Sequence, residues 1–559
     1  MKRLIYETLL PVIVIAGILS YNHSQNSAEL PADLTPVGAT LLDGLGDYSM
    51  PVTSTEPDVQ QWFDQGLMLT YGFNHEAAER SFLKAAQLDP ECVMCWWGAS
   101  LVLGPNINAA MNPESNAPAF ERMQRAQALA GNASKREQAY INALSARYTE
   151  QAPDDRTPLD RAFADAMRKV SETYPDDLDA ATFHAEALMT LQPWEYWDDN
   201  GRPIGNTGTI VSVLESVMER DPEHAGALHL YVHAVEASDN PERGVRAADK
   251  LRDLIPGSGH LVHMPAHIYA RVGRWQDAVI ANQLAIEADD AYLAICRPGP
   301  GVYPLGYVPH NHHFLWFAAT MIGDSETAIA AARSTAERTS DPDLLGIPGL
   351  DPMQDFSMTE TFANIRFGRW DAIVNTPKPD DQWRYMAAVW HYGQSMAALR
   401  QDRLEDARKH YRHVEEATRD PEIEALTKWD RYSMIKAIVI AERILAAEFA
   451  LVDGDFELAI SALRQAVPLE DDIPYDEPPG WHLPVRQILG GVLLEAGQAR
   501  DAQMVFEAEL RRNPENIWSL FGLKQALWTQ NKNAEAERAE ARYAKASTYS
   551  DVELKRSYF

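Results

Sequence analysis

The sequence predicts an all-α protein in which helix pairs stack into an α-solenoid, a right-handed superhelix. Three observations favour this fold. The 559 residues are too many for one compact core, small and apolar residues recur at helical spacing, and two prolines that follow helical segments are 34 residues apart. A stacked array has no such size limit, because each unit contacts only its neighbours. We expect the solenoid to cover residues 57–550.

The repeat is clearest in the segment that ends at Pro90. The spacing of four residues predicts two helices that meet at a tight turn, and these residues are Trp62, Gly66, Ala78 and Phe82. The small residues let the helices approach, the two aromatic rings fill the gap between them, and Pro90 ends the second helix. This spacing resembles the tetratricopeptide repeat family, which implies a concave groove lined by the first helix of each pair. Gln65 departs from the family's usual leucine.

The pattern recurs along the chain. Pro222 and Pro256 are 34 residues apart, and Gly490 and Phe506 repeat the first unit's glycine and phenylalanine near the C-terminus. The polar segment "NAEAERAEARYAKAS" predicts a capping helix, and residues 551–559 are expected to form a tail. Loops rich in glycine, proline and aromatic residues are predicted to fold over the groove. They are "GPNINAAMNPESNAP", "QPWEYWDDNGRPIGNTG", "CRPGPGVYPLGYVP" and "SDPDLLGIPGLDPMQD".

The N-terminal segment predicts export. Lys2 and Arg3 precede an apolar run from Leu9 to Leu19, which is typical of a signal peptide and shorter than the roughly 20 residues of a comfortable membrane span. A cleaved signal peptide and a short anchor in the inner membrane both fit residues 1–28, and a polar linker is expected over 29–56. Either interpretation places the body in the periplasm or elsewhere outside the cytoplasm.

Composition restricts the partners. The formal net charge of −31 disfavours nucleic acid, whose phosphates need a basic surface. We expect a small molecule or a peptide in the concave groove, and the oligomeric state stays open. Cys92 and Cys95 form a C-x-x-C that fits plain helix packing, oxidation or a soft metal.

Histidines concentrate in two successive repeats. The segments "ALHLYVHAVEA" and "GHLVHMPAHIYARVG" carry His229 with His233 and His263 with His267, each pair at i and i+4 and the pairs 34 residues apart. Residues at this spacing lie about one turn apart on one helix face. In the tetratricopeptide register both pairs face the groove, together with His260. His224, which follows "RDPE", is predicted to be a surface turn residue.

Neighbouring helices extend this stripe. The segment "PHNHHFLWF" adds His310 and His313, and the stripe also contains Glu236 and Glu186. The pattern predicts a site for a divalent transition metal such as zinc, copper or iron. The two glutamates are the candidate general bases or bridging ligands. One tetrahedral ion needs only four ligands, so three roles stay open for the additional histidines. They could hydrogen-bond to the ligands, bind a second ion or act on a substrate. A metal-free pocket for a polar ligand is the competing interpretation.

Several longer segments resemble an exported bacterial family of tetratricopeptide-repeat proteins. They are "CVMCWWG", "PWEYWD", "HLYVHAVEAS", "GHLVHMPAHIYARVG", "PHNHHFLW" and "EPPGWHLPVRQILG". The resemblance implies that the histidine segments and the aromatic loops belong to one pattern. The Trp194–Trp197 loop, Tyr303 and Tyr307 are therefore candidates to close the pocket.

Three functions are compatible with these features. The first is a metal-dependent enzyme of hydrolytic or oxidative chemistry. The second is a peptide-binding scaffold without catalysis, and the third is a protein that delivers or stores a metal. The sequence does not fix the substrate.

Overall fold

The computed structural model describes residues 39–198, 201–299, 301–347 and 349–559. Their regular structure is almost entirely helical, in successive antiparallel pairs, which confirms the predicted all-α, tetratricopeptide-like fold. The predicted signal or anchor over residues 1–28 and the linker residues 29–38 lie outside the described residues. Of the helices described, none combines the length and apolarity that a membrane span requires.

The chain forms two compact units. The described part of the first comprises residues 39–268 and 283–308, and the second comprises 269–282 and 309–559. Helices α12 (Pro265–Arg271) and α13 (Trp275–Cys296) contribute residues to both. The other α-helices of the first unit are α1 (Pro57–Tyr71), α2 (His75–Leu88), α3 (Val93–Leu101), α4 (Asn116–Leu129), α5 (Lys135–Leu144), α6 (Thr157–Thr173), α7 (Leu178–Thr190), α8 (Thr207–Arg220), α9 (Ala225–Val235), α10 (Val245–Leu254) and α11 (Gly259–His263).

The second unit continues the helix pairs and includes a two-stranded antiparallel hairpin of β1 (Thr427–Lys428) and β2 (Tyr432–Ser433). Its α-helices are α14 (Val308–Ile322), α15 (Ser325–Thr339), α16 (Pro342–Leu345), α17 (Pro352–Ser357), α18 (Thr359–Arg366), α19 (Trp370–Asn375), α20 (Arg384–Arg400), α21 (Leu404–Ala417), α22 (Pro421–Ala425), α23 (Ile435–Val452), α24 (Phe456–Asp471), α25 (Val485–Glu495), α26 (Ala499–Arg512), α27 (Ile517–Thr529) and α28 (Asn533–Ala546).

Short single turns complete the regular structure. Of the four predicted loops, the last contains α16 and α17, whose starts are set by Pro342 and Pro352 at the first helical position. The predicted capping helix is α28. Turns of 3₁₀ helix cover Pro113–Ser115, Ala130–Asn132, Ser145–Arg147, Pro241–Gly244 and Ser547–Tyr549, and a π turn covers Tyr303–Tyr307.

A phenylalanine wedged between two glycines fixes the spacing of adjacent pairs. Phe82 on α2 is fully buried, and a Cβ atom added to Gly66 on α1 or Gly98 on α3 would lie 2.7 or 2.6 Å from its ring. This confirms the packing that the first repeat predicts. In the second unit, Phe506 occupies the same position between Gly490 and Gly522. The ring replaces the side chains that the glycines lack, so helices in both units pack at close range.

The segment before the first helix differs from the predicted linker. Residues 39–56 pack on the first unit, and Met50 is fully buried. The Gln65 side chain accepts a hydrogen bond from the Leu42 amide at 2.8 Å and donates to the Thr40 carbonyl at 3.0 Å. Gln65 also donates to Ser81 Oγ at 3.0 Å. The residue that departs from the repeat pattern therefore attaches the N-terminal segment to the first helix pair.

The glycine spacing gives a stability prediction. We expect Gly98→Ala to lower the free energy of unfolding by about 1–2 kcal/mol, because overpacking against Phe82 outweighs the gain in helix propensity of roughly 1 kcal/mol. Gly208→Ala is the matched control, since a Cβ atom there meets nothing within 4 Å. Urea denaturation followed by circular dichroism measures both variants. Equal stability of Gly98→Ala and the wild type would contradict the claim that Phe82 leaves no room for a side chain at position 98.

Candidate metal centre

The predicted histidine helices, α9 and α11 with the start of α12, meet in the first unit. Helix α9 approaches α1 closely, because a Cβ atom on Gly226 would lie 2.5 Å from the Tyr71 ring. His229 and His233 follow on α9, one turn apart. His263 ends α11, and His267 lies one turn further on α12. The sequence thus brings both pairs to one place, as their shared register predicts.

Three imidazoles form the best-defined ligand set. His229, His233 and His260 each offer a ring nitrogen within 4.8 Å of the other two. The Nε2 atoms of His229 and His260 are 3.1 Å apart. Ligands of a tetrahedral zinc ion lie about 3.3 Å apart, given bonds of roughly 2.0–2.1 Å. All three side chains are buried, so the set fits a transition metal ion held away from bulk water.

A single carboxylate connects the two histidine pairs. Glu236, which is fully buried, has Oε1 at 3.0 Å from His233 Nδ1 and Oε2 at 2.7 Å from His267 Nδ1. A carboxylate accepts hydrogen bonds, so the His233 Nδ1–H group donates to Oε1 and the Nε2 atom of His233 keeps its lone pair. His267 contacts Oε2 at ion-pair distance. This is the carboxylate–histidine arrangement that orients metal ligands. The geometry gives Glu236 a positioning role in addition to the base or bridging role that the sequence predicts.

The second pair has its own contact. The Nε2 atoms of His263 and His267 are 2.6 Å apart. Because the Nδ1 atom of His267 is directed at Glu236, its Nε2 atom faces the neighbouring imidazole. Two ring nitrogens at this distance share a proton, because the ligands of one tetrahedral ion lie about 3.3 Å apart.

His229 is oriented by the backbone of the first repeat. Its Nδ1 donates to the Tyr71 carbonyl at 2.6 Å, which directs Nε2 toward His260. The Tyr71 hydroxyl in turn donates to Asp179 at 2.6 Å. Burial alone raises the pKa of Asp179, but hydrogen bonds from His224, Tyr71 and Tyr48 hold that pKa below its ordinary value. No sequence pattern predicts the roles of Tyr71 and Asp179, since their partners are distant in the chain.

The prediction for His224 was wrong. The side chain is fully buried and caps α9, because its Nδ1 accepts a hydrogen bond from the Ala227 amide. Its Nε2 lies 3.4 Å from Asp179. The histidine therefore supports the helix that carries His229 and His233. The turn signal before it correctly marks the start of the helix, but it carries no information about burial.

Aromatic side chains surround the imidazoles. The Phe73 ring centroid lies 4.5 Å from that of His229 and 5.5 Å from that of His260. From the predicted loops, the Trp194 ring lies 5.4 Å from His233 and the Tyr307 ring 4.6 Å from His260. These rings enclose the site on several sides. Phe73 was missed, because a turn residue between two helices carries no pattern of its own.

Further contacts attach the two loops to the site. Trp197 donates from Nε1 to the Ala234 carbonyl at 2.8 Å, which holds its loop on α9. The Tyr303 hydroxyl donates to Asp289 at 2.8 Å and accepts from the His260 amide at 3.2 Å. Tyr303 and the Trp194–Trp197 loop therefore pack against the histidine helices, and closure of a pocket by them stays a prediction.

Electrostatics favours neutral imidazoles. Burial lowers the pKa of His229 and of His260 well below the ordinary value, and neighbouring imidazoles lower both further. A metal ion needs the unprotonated ring. At neutral pH these imidazoles are already unprotonated, so a metal ion does not have to displace protons from them.

The remaining predicted site residues are Glu186, His310 and His313. Glu186 on α7 interacts with Arg147, and among the described residues no metal-ligand cluster includes Glu186. His310 and His313 belong to the second unit, on α14. The His310 ring lies 6.0 Å from that of Phe314, and the His313 ring lies 4.2 Å from that of Phe356. The catalytic role of Glu186 and the ligand roles of the two histidines stay predictions.

The C-x-x-C motif is oxidised. Cys92 and Cys95 form a disulfide at the start of α3, with Cα atoms 5.4 Å apart. Cys92 is also the N-cap, and its sulfur accepts a hydrogen bond from the Cys95 amide at 3.2 Å. Of the alternatives that the sequence left open, the structure has the oxidised pair.

Glu186 gives a pH-dependent prediction. Burial raises its pKa from 4.5 to about 7, so the folded state holds a proton that the unfolded chain releases between these values. Stability therefore falls as pH rises through that window. We expect Glu186→Gln to match the wild type near pH 4 and to be more stable at pH 8 by on the order of 2–3 kcal/mol. Thermal and urea unfolding at both pH values measure the difference.

A surface carboxylate provides the control for that experiment. The Glu172 side chain is 61% exposed, and Glu172→Gln should show no such pH dependence. A difference between Glu186→Gln and the wild type that is the same at pH 4 and pH 8 would contradict the prediction.

Comparisons with known proteins find only distant structural similarity. No protein-family model matches the sequence, and no curated protein matches it. A structure of the human IFIT1 dimer with m7Gppp-AAAA has 11% identity and a TM-score of 0.29, over 89% of this chain and 92% of that one. The APC/C hetero-tetramer Cut9-Hcn1 has 13% identity and a TM-score of 0.31, over 88% and 79%. Naa15/Naa10 bound to HypK-THB has 14% identity and a TM-score of 0.22, over 87% and 70%. All three are helical-repeat proteins of the tetratricopeptide type.

Proposed function

We propose that this chain is a metal-binding helical-repeat protein whose first unit holds a divalent transition metal ion. The observation that carries the proposal is the buried set of His229, His233 and His260, with ring nitrogens within 4.8 Å of one another. Packing alone does not require the ring nitrogens of buried imidazoles to face one another. Here they converge, and hydrogen bonds on the opposite ring nitrogen of His229 and His233 direct Nε2 inward.

The donor set indicates the class of metal. Imidazole nitrogens suit zinc, copper and iron, whereas magnesium and calcium prefer oxygen ligands. Three imidazoles leave one position of a tetrahedral ion for water or substrate, as in catalytic zinc sites with three histidines. Metal-assisted hydrolysis is therefore the enzyme class that we propose for this centre. Bound metal would supply an activated water there.

The proposal includes a second ion beside the first. His263 and His267 offer two more imidazoles, and the Glu236 carboxylate lies within 3.0 Å of His233 and 2.7 Å of His267. Paired metal sites that share nearby carboxylates are common in hydrolytic enzymes. Five buried histidines exceed the needs of one tetrahedral ion, which supports this form of the proposal.

We also propose that the body lies outside the cytoplasm. The basic residues Lys2 and Arg3 before an apolar run support export. The Cys92–Cys95 disulfide supports it further, because such bonds persist mainly in oxidising compartments. The net charge of −31 favours a small molecule or a peptide over nucleic acid as the ligand, although the IFIT1 structure carries m7Gppp-AAAA.

Metal content tests the proposal directly. Purified wild-type protein loaded with zinc and then dialysed should retain one to two ions per chain by mass spectrometry. His229→Phe with His260→Phe should lose at least one of them, since both ligands are removed while the rings fill the space. His413→Phe, at an exposed position whose side chain is 47% accessible, is the control. A wild-type protein that retains no zinc, copper or iron would overturn the proposal.

The role of Glu236 gives a separate prediction. Glu236→Gln keeps the side-chain shape but turns one of its two acceptors into a donor that faces an imidazole N–H. We expect metal affinity to fall by roughly 10- to 100-fold, as for other partners of metal-bound histidines. Competition with a chromophoric chelator measures the affinity. The control, Glu215→Gln on α8, alters a surface carboxylate bonded to Tyr231 and Arg243 and should bind metal as the wild type does.

A further inference from the structure

A second cluster of buried polar side chains lies within the second unit. It includes Trp481 and His482 from the segment "EPPGWHLPVRQILG", whose function the metal centre leaves unexplained. The His482 ring stacks on Phe362 with centroids 4.3 Å apart. The Tyr392 ring lies 5.7 Å from Trp481 and 6.0 Å from His482. These side chains therefore enclose a small region.

Arg366 supplies the charge in this cluster. It is 2% exposed, and its guanidinium carbon lies 3.7 Å from the centre of the Trp518 ring. Nη2 donates to Gln487 Oε1 at 2.6 Å, and the Gln487 amide nitrogen donates to Asn516 at 3.1 Å. Within the described residues, Nε and Nη1 of Arg366 have no hydrogen-bond acceptor. A buried guanidinium with free donors is rare in folded proteins.

The neighbouring polar atoms show the same excess of donors. Among the described residues, no hydrogen-bond partner is found for Trp481 Nε1, for the Tyr392 hydroxyl or for either ring nitrogen of His482. The indole nitrogen can only donate, and the hydroxyl and the imidazole can each donate one hydrogen. His482 is also close enough to Arg366 for their charges to interact. An acceptor-rich group is the missing partner of this set.

Charge balance leads to the same conclusion. No ion pair joins Arg366 to a carboxylate in the part of the chain that the structure describes, and its closest electrostatic counterpart is Glu509. Burial raises the pKa of Glu509 to about 7, which weakens that carboxyl as a counter-charge. Burial also lowers the pKa of Arg366 well below its ordinary value. A buried cation in these surroundings needs an anion beside it.

We propose that Arg366, Trp481, His482 and Tyr392 bind a small anion, a halide or a single carboxylate group, inside the second unit. The short distances between the rings restrict the ligand to a few atoms. A metal ion does not fit, because three of the four residues offer a cation no lone pair or only a weak one. This site is independent of the metal centre, since it uses residues of the second unit alone. It assigns a role to the "GWHLPVRQ" segment through Trp481, His482 and Gln487.

Thermal unfolding of the full chain tests the site. Sodium gluconate is replaced by sodium bromide or sodium formate at constant ionic strength, with a chelator present throughout. Once the concentration of free anion exceeds its dissociation constant, each further tenfold increase in that concentration should raise the melting temperature of the second unit by about 2–4 °C. A response to bromide alone identifies a halide site, and a response to formate alone identifies a carboxylate site. Either one supports the proposal.

Variants separate binding from general salt effects. Arg366→Met should abolish the response, and His482→Phe, which retains the guanidinium and the stacked ring, should weaken it. Arg464→Gln, at a side chain that is 56% exposed, should respond as the wild type does. If Arg366→Met does not fold, two other measurements test the site. They are the response of His482→Phe and the anomalous signal of bromide in crystals. The proposal is overturned if the wild type melts identically in all three salts, or if His482→Phe and Arg464→Gln both respond fully with no bromide bound beside Arg366.

Discussion

The 34-residue register of the helix pairs controls where each functional side chain lies. Residues that are 34 positions apart occupy equivalent positions in successive repeats. His263 is therefore equivalent to His229, and His267 is equivalent to His233. Glu236 makes use of this equivalence, because its two oxygens reach one histidine of each repeat. A one-residue shift between the repeats would rotate one pair away by about 100° and break the contact between Glu236 and His267.

Local pattern predicted much of the fold and part of the site. The Gly66–Phe82 contact and the convergence of the α9 and α11 histidines follow from residue spacing, which a helix converts directly into position. His224 and Gln65 did not follow, because their roles depend on partners far along the chain, Asp179 and Leu42. Phe73 and Tyr71 contribute to the centre from a different helix pair. Packing between distant repeats decides such contacts, and one sequence does not record it.

The two polar clusters carry opposite chemistry. In the first unit, hydrogen bonds on the Nδ1 atoms of His229 and His233 leave the lone pairs of their Nε2 atoms facing inward. In the second, Arg366 and the side chains around it present donors. A low dielectric interior strengthens both preferences. A cation and an anion are thus the natural ligands of the two sites, and each unit can be assayed for its own.

The attachment of the N-terminal segment bears on where the folded body begins. The repeat pattern starts at residue 57, yet Met50 is part of the core, and Asp64 and Glu137 accept hydrogen bonds from the Met50 and Thr53 amides at 3.1 and 2.7 Å. A chain that begins at residue 57 would lack the partners of Asp64, Glu137 and Gln65, and these side chains would face solvent. Expression of the folded body should accordingly include the whole of the segment 39–56.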